Sequence, residues 1–257
     1  MRLELIMNYG KTNVLISKDE FELGSKVALD VAIKIRELLE VKNELRIVFA
    51  AGESQMTFLN ALAEEKNIDW QRIVCFNLDD FHDVNMPEKF TCGFQTSQQL
   101  YNKVKPKQVY LVKYNASDPQ EEAERFEKLL REEDLDILCQ GIGTSGHLAL
   151  NEPFDTDFKD EEWVKVVDLA KQSKIQLMDD PNFKDLGYIP LKGITMTIPA
   201  LFSAANIYTI VPLGLKRPIL EKLFKTAAIT NELPASILLE YEGTLYVDTN
   251  SCPECLN

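Results

Sequence analysis

Five short apolar runs recur along the chain, separated by segments whose apolar residues repeat at helical spacing. LRIVFAA (45–51), RIVCFNLDD (72–80), LDILCQGIG (135–143), IYTIV (207–211) and TLYVD (244–248) contain continuous apolar stretches rather than an alternating pattern. Such stretches mark strands buried on both faces. Between them, Val27, Val31, Ile35 and Leu38 form one apolar stripe, and Ala123, Phe126, Leu129 and Leu130 form another. Strands of this kind alternating with amphipathic helices predict an α/β fold: a doubly wound, mostly parallel, Rossmann-like sheet with helices on both faces.

Local signals fill in the order of elements. NVLIS (13–17) and QVYLV (108–112) read as further strands. Ser17, with Glu20 three residues on, predicts a capping box at the start of the first helix. Asp118–Pro119–Gln120–Glu121 predicts another start: an Asp cap, proline in the first turn, then an acid at the positive end of the dipole. Helices are expected at 54–64 and about 216–226. The chain has no internal repeat or low-complexity linker, so a single domain is expected over residues 1–257. The polar, weakly periodic stretch 153–190 follows a strand end and is expected to form a lid; a surface excursion without a role is the alternative.

Charge and cysteine content narrow the partners. The net charge is −13, from 41 acids and 28 bases, with no basic block. This disfavours nucleic acid or an anionic membrane surface as a partner. A small anionic ligand stays open, and isolated lysines in loops gain interest because they would have to hold it inside a repelling surface. No apolar run approaches the roughly 18 residues of a membrane span. MRLELIMNYGK carries Glu4 within its apolar stretch and shows no signal-peptide pattern. The five cysteines show no disulfide pattern, which fits a reducing, cytoplasmic setting. Cys75 and Cys139 lie in apolar runs and are expected in the core. CPEC (252–255) has metal-ligand spacing but lacks a second Cys or His pair, so no metal site is expected there.

In open parallel sheets, ligands bind outside the carboxyl ends of the strands. Three such ends stand out. AAGESQ (50–55) offers Gly52, Ser54 and the start of a helix as an anion cradle, although it lacks the Lys-Ser/Thr of a P-loop. NLDDFHD (77–83) places Asp79 and Asp80 at the end of an apolar strand; either could be a partly desolvated base or a solvated turn residue. His82 is expected in the following loop. GIGTSGHLALNEP (141–153) holds His147, one of only two histidines. Leu148–Asn151 is expected to start a helix that brings Glu152 to the imidazole, where a carboxylate would fix its tautomer. A local hydrogen-bonding role for His147 is the alternative. No Gly-x-Ser-x-Gly elbow and no GxGxxG appear, which argues against a serine nucleophile and a dinucleotide cofactor.

With these motifs, the sequence resembles the glucosamine-6-phosphate deaminase (isomerase) family, which shares its fold with the 6-phosphogluconolactonases. IVFAAGESQMTFLNAL, IDWQRIVCFNLDDF, GIGTSGHLALNEP, ITMTIPAL, PLGLKRPIL and LPASILLEYEGTLYVD carry the likeness over nearly the whole chain. The Gly-His part is common to both branches, and Asn-Glu-Pro points to the deaminases. The resemblance implies that Asp79 moves a proton between sugar C2 and C1, and that His147 opens the pyranose ring, assisted by Glu152. It implies a phosphate held by Gly52, Ser54 and Lys216, with Lys174 standing where many relatives have arginine. Counting from Gly214 would choose Arg217 instead of Lys216.

Three departures stand out. Glu53 replaces a glycine of the phosphate loop. Ser145 replaces the aspartate usual two residues before the histidine, so it can hydrogen-bond the ring but brings no charge. FDTDFKDEEW after Asn-Glu-Pro lacks the basic residues of allosteric relatives.

The expected reaction converts an amino-hexose 6-phosphate, glucosamine 6-phosphate or its galactosamine epimer, into a ketose phosphate and ammonia. It requires no metal or organic cofactor, because the adjacent carbonyl acidifies the C2 proton after ring opening. A lactone hydrolase and a non-catalytic sugar-phosphate binder are the rival readings, and a homo-oligomer is possible.

Overall fold

A computed structural model describes residues 6–170, 174, 177, 178, 183 and 185–254, and statements of absence below concern those residues. The strands are β1 (Ile6–Tyr9), β2 (Thr12–Ser17), β3 (Leu45–Phe49), β4 (Ile73–Asn77), β5 (Asp79–His82), β6 (Gln108–Tyr110), β7 (Ile137–Gln140), β8 (Val164–Asp168), β9 (Lys192–Met196), β10 (Asn206–Val211) and β11 (Gly243–Asp248). Eight of them form one sheet in the order β1-β2-β11-β10-β7-β3-β4-β6, parallel except for the β1–β2 hairpin. The expected α/β architecture is therefore present. The main helices are α1 (Glu20–Val41), α2 (Met56–Glu64), α3 (Cys92–Thr96), α4 (Pro119–Leu130), α5 (Ile198–Leu201) and α6 (Arg217–Lys225).

The period of two along the buried strands divides the core. In β3, Ile47 and Phe49 face a cluster with Leu23, Val27, Val31 and Ile35 of α1 and Phe58 of α2. Val48, between them, faces the other cluster, with Ala123, Phe126 and Leu130 of α4 and Leu220 and Leu223 of α6. Both faces of the sheet are covered, as continuous apolar strands require.

Strand order fixes where a ligand can sit. The chain runs from β3 outward through β4 and β6, then returns to the other side of β3 as β7. The switch point lies between β3 and β7, so the turns after these strands, at 50–55 and 141–147, flank the crevice where doubly wound sheets bind ligands.

Several local expectations are corrected. The cap of α1 is Asp19, which accepts from the N–H groups of Phe21 at 3.1 Å and Glu22 at 2.9 Å; Glu22 reaches back to the Lys18 N–H. The helix cap thus lies two residues beyond the expected Ser17, and the carboxylate three residues after it bonds the N–H before the cap rather than the cap's own. RIVCFNLDD is not one strand. Its pairing in the large sheet ends at Asn77, and Asp79 begins β5, which pairs with β9 in a separate antiparallel sheet, β5-β9-β8. Leu148–Asn151 forms a bridged turn rather than a helix, with Ala149 at φ +53°. Within the stretch expected to be a lid, Val164–Asp168 is strand β8, while most of 171–184 lies outside the described residues.

Candidate active site

Four turns at the carboxyl edge of the sheet meet around a cavity of about 230 Å³. Its wall includes Gly52, Glu53 and Ser54 after β3, Asp79 and Asp80 at the start of β5, Gly143 and His147 after β7, and Leu213 and Lys216 after β10. Cys92 and Gln95 of α3 and the apolar side chains of Leu177 and Phe183 also line it. Motifs separated by well over a hundred residues thus share one space.

The imidazole is held tightly. Nδ1 of His147 lies 2.8 Å from Glu152 Oε1 and 2.8 Å from Ser145 Oγ, and the Ser145 hydroxyl donates to Glu152 Oε2 at 2.7 Å. With its hydroxyl hydrogen committed to Glu152, Ser145 offers the ring only a lone pair. Nδ1 therefore carries the hydrogen and Nε2 is left with a free lone pair. The turn that makes this possible depends on glycine. A Cβ at Gly143 would sit 1.9 Å from Nε2, and Gly146 has φ +90° with its α-carbon face against Leu233. Asn151 anchors the far end of the turn, donating to the Leu148 and Met196 carbonyls at 2.8 Å each. Glu152 thus reaches the imidazole as expected, through a bridged turn rather than a helix.

Asp79 is 9% exposed and accepts no backbone N–H. Burial, reinforced by the charge of Asp80, pushes it well above the usual carboxylate range, while the Cys92 thiol acts in the opposite direction. A carboxylate poised this way can take a proton from carbon and keep it. Asp80 has a different setting: its oxygens accept three backbone N–H groups.

At the other end, Lys216 is only 6% exposed and makes no hydrogen bond or ion pair to a described residue. Burial pulls it down to about 8, and Glu53 partly offsets that fall. A buried ammonium without a partner is costly unless an anion meets it. Nearby, Gly52 at φ +97° turns the chain into Glu53–Gln55 and α2. A Cβ there would meet nothing within 4 Å, so Gly52 serves the turn's conformation while leaving open space in front of it.

Lys216 and Arg217 lie on different sides of the turn. Arg217 gives its guanidinium to the Asn250 and Thr249 carbonyls at 2.9 and 3.0 Å, away from the cavity, whereas Lys216 lines it. Leu213 makes the preceding turn at φ +80°, a conformation in which a branched side chain is strained. Lys174 is half-buried and does not line the cavity. His82 bonds the Ala116 carbonyl at 2.8 Å and also lies outside it. Cys92 and Gln95 were not legible as site residues: nothing in FTCGFQTS distinguishes them from an ordinary helix start. Of the CPEC motif, Cys252 is buried and Cys255 lies outside the described residues.

Residues 18–247 match the model of the family of glucosamine-6-phosphate isomerases and 6-phosphogluconolactonases. The chain belongs to that family. Glucosamine-6-phosphate deaminase of Mycoplasmopsis pulmonis is 24% identical over 232 residues, 88% of this chain and 90% of that one. The Bacillus cereus (strain G9842) enzyme of the same name is 25% identical over 245 residues, 95% of this chain and 89% of that one. Among solved structures, a monomeric glucosamine-6-phosphate deaminase of the NagB superfamily superposes with a TM-score of 0.80 at 25% identity, covering 93% of this chain and 98% of that one. The 6-phosphogluconolactonase of Thermotoga maritima superposes with a TM-score of 0.72 at 19% identity, over 91% of this chain and 98% of that one, and shares the fold. Among the described residues, no helix is long and apolar enough to cross a membrane.

Proposed function

We propose that this family member is an amino-hexose 6-phosphate deaminase, converting glucosamine 6-phosphate and water into fructose 6-phosphate and ammonia, with galactosamine 6-phosphate as the epimeric alternative. The observation that carries the reading is a convergence: a buried carboxylate with no backbone donor, an imidazole of fixed tautomer and a buried ammonium without an ion pair to a described residue share one cavity.

Each group then has a task. Lys216, with the Gly52–Ser54 turn, anchors the phosphate and sets the register of the sugar. His147, through Nε2, moves the proton that opens the ring, while Glu152 stabilises the imidazolium formed. Ser145 keeps the carboxylate and ring aligned. In the open aldose the C1 carbonyl acidifies the C2–H; Asp79 removes that proton and returns it at C1. The C2 amine becomes a ketose imine, and addition of water expels ammonia. Positioning contributes on the order of 7–11 kcal/mol in the most favourable intramolecular models. Each acid–base group adds about 10²–10⁴-fold.

The test is an ammonia-release assay on both 6-phosphate epimers, run beside an acid-release assay on 6-phosphogluconolactone. Ammonia release that disappears in Asp79→Asn, with the fold intact by circular dichroism, supports the proposal. Lactone hydrolysis that survives Asp79→Asn would assign the site to water activation by His147. Sugar-phosphate binding without turnover would make the protein a sensor.

A further inference from the structure

Asp79 and Asp80 are consecutive and both buried, yet their surroundings differ sharply. Oδ1 of Asp80 accepts the N–H groups of Phe81 at 2.8 Å and Cys92 at 2.9 Å, and Oδ2 accepts that of Gly93 at 2.9 Å. A Cβ at 93 would lie 2.9 Å from Leu111 Cδ1 and 3.4 Å from Asp80 Oδ2, so a larger side chain there would have to displace the tip of Leu111. Asp79 has no N–H donor, and the polar side chain acting on it is the Cys92 thiol. That thiol is itself kept protonated by burial and by the two carboxylates, so it can only donate. Burial raises Asp80 too, but its three donors act against that rise, whereas Asp79 has only the thiol; the pair therefore loses its first proton at Asp80, and that charge opposes a second.

We propose that Asp80 is a positioning residue: its carboxylate, held by the Phe81, Cys92 and Gly93 N–H groups, ties the first turn of α3 to β5, keeps the Cys92 thiol towards Asp79, and places a negative charge beside it. The benefit is retention. A proton taken from sugar C2 stays on Asp79 until it is delivered to C1, rather than passing to water. This rests on the reading of Asp79 as the C2–C1 base.

Other charges around the cavity do not duplicate the effect. His147 is engaged by Glu152, Lys216 and Glu53 line the cavity on the other side, and neither His147 nor Lys216 is hydrogen-bonded or ion-paired to Asp79. Across the small sheet β9 brings only Thr195 opposite Asp79; beyond it β8 brings Lys165, which is paired with Asp160 at 3.1 Å.

The experiment follows the carboxyl carbons of aspartate-labelled protein by NMR through a pH titration, with Asp79→Asn used for assignment, in the wild type, Asp80→Asn and Asp80→Glu. The Asp79 signal should titrate well above the usual carboxylate range in the wild type. It should move towards acid by about one pH unit or more in Asp80→Asn, and stay near its wild-type position in Asp80→Glu, which keeps the charge. The acid limb of kcat/KM should move with it. A limb and a titration that stay fixed in Asp80→Asn, with only kcat or Tm reduced, would show a purely structural residue and overturn the proposal. If Asp80→Asn does not fold, the wild-type titration decides: an Asp79 that ionises in the ordinary range overturns it. Absence of ammonia release would defeat the functional reading instead, leaving the NMR result to judge Asp80.

Discussion

The two ends of the cavity are built on opposite principles. At the imidazole end Nδ1 of His147, Ser145 and Glu152 bond one another at 2.7–2.8 Å, and only Nε2 is left facing the cavity. At the anion end Lys216 is buried with no ion pair to a described residue, and the residue before its turn, Leu213, has a strained φ of +80°. The first arrangement is preorganised and costs little to keep in the absence of ligand. The second holds an unmet charge that destabilises the free protein and becomes favourable when an anion arrives. On the proposed function, chemistry is placed on rigid geometry and binding on stored electrostatic cost.

The largest expected effect comes from breaking the matched end. His147→Asn removes the proton carrier while leaving a side chain that can still bond Glu152. Steady-state kinetics should show kcat reduced by about 10²–10⁴-fold with KM for the phosphosugar little changed. A comparable rise in KM would mean that the imidazole binds substrate rather than moving its proton.

The unmatched end should respond in two directions at once. Lys216→Met removes the anion's partner and should weaken phosphosugar binding by about 2–5 kcal/mol, seen as a raised KM. The same change should stabilise the free protein. Lys216 is pulled down to about 8 in the fold from 10.5, so the unfolded chain binds the extra proton between those values. The penalty is therefore full below pH 8 and relieved as pH rises towards 10.5, and at neutral pH it amounts to roughly 3 kcal/mol. Denaturant melts of wild type and Lys216→Met should diverge most at pH 7 and converge above pH 10. Inorganic phosphate should raise the wild-type Tm but not that of the variant. Equal stability at pH 7 would mean that Lys216 is already compensated in the free protein.

The sequence foretold these two ends unequally. Strand runs and helix stripes specified the sheet, because both-face burial leaves a plain compositional trace. Gly-rich turns at strand ends pointed to the edge where ligands bind, and His147 and Glu152 could be paired from their spacing. The route between them could not. A bridged turn with Ala149 at φ +53° is held in place by the bond of Asn151 to the Met196 carbonyl of β9, a contact far away in sequence. Likewise, LDD read as the tail of a strand because apolar continuity does not reveal that the backbone leaves one sheet for another at Leu78. That transfer is what makes Asp79 bare and Asp80 saturated. Cys92 and Gln95 carried no signal, since their place in the cavity wall follows from the docking of α3 on β5 through Asp80.

The smallest effect sharpens the contrast most, because Glu53 lies at the unmatched end with the wrong sign. It is exposed, lines the cavity and supports the charge of Lys216 while repelling an incoming phosphate. Glu53→Gln should therefore have two consequences of opposite sign. Below about pH 7, where Lys216 remains protonated, loss of repulsion should lower KM by a few fold, in keeping with the roughly 0–1 kcal/mol typical of exposed charge pairs. Removing the support of Glu53 also lets Lys216 lose its proton at lower pH, so KM in the variant should begin to rise earlier on the alkaline side. The KM–pH curves of wild type and variant should cross near the pH at which Lys216 titrates. Parallel curves would show that Glu53 acts on the phosphate alone, and a KM raised at every pH would show that its carboxylate orders the Gly52–Ser54 turn rather than opposing the ligand.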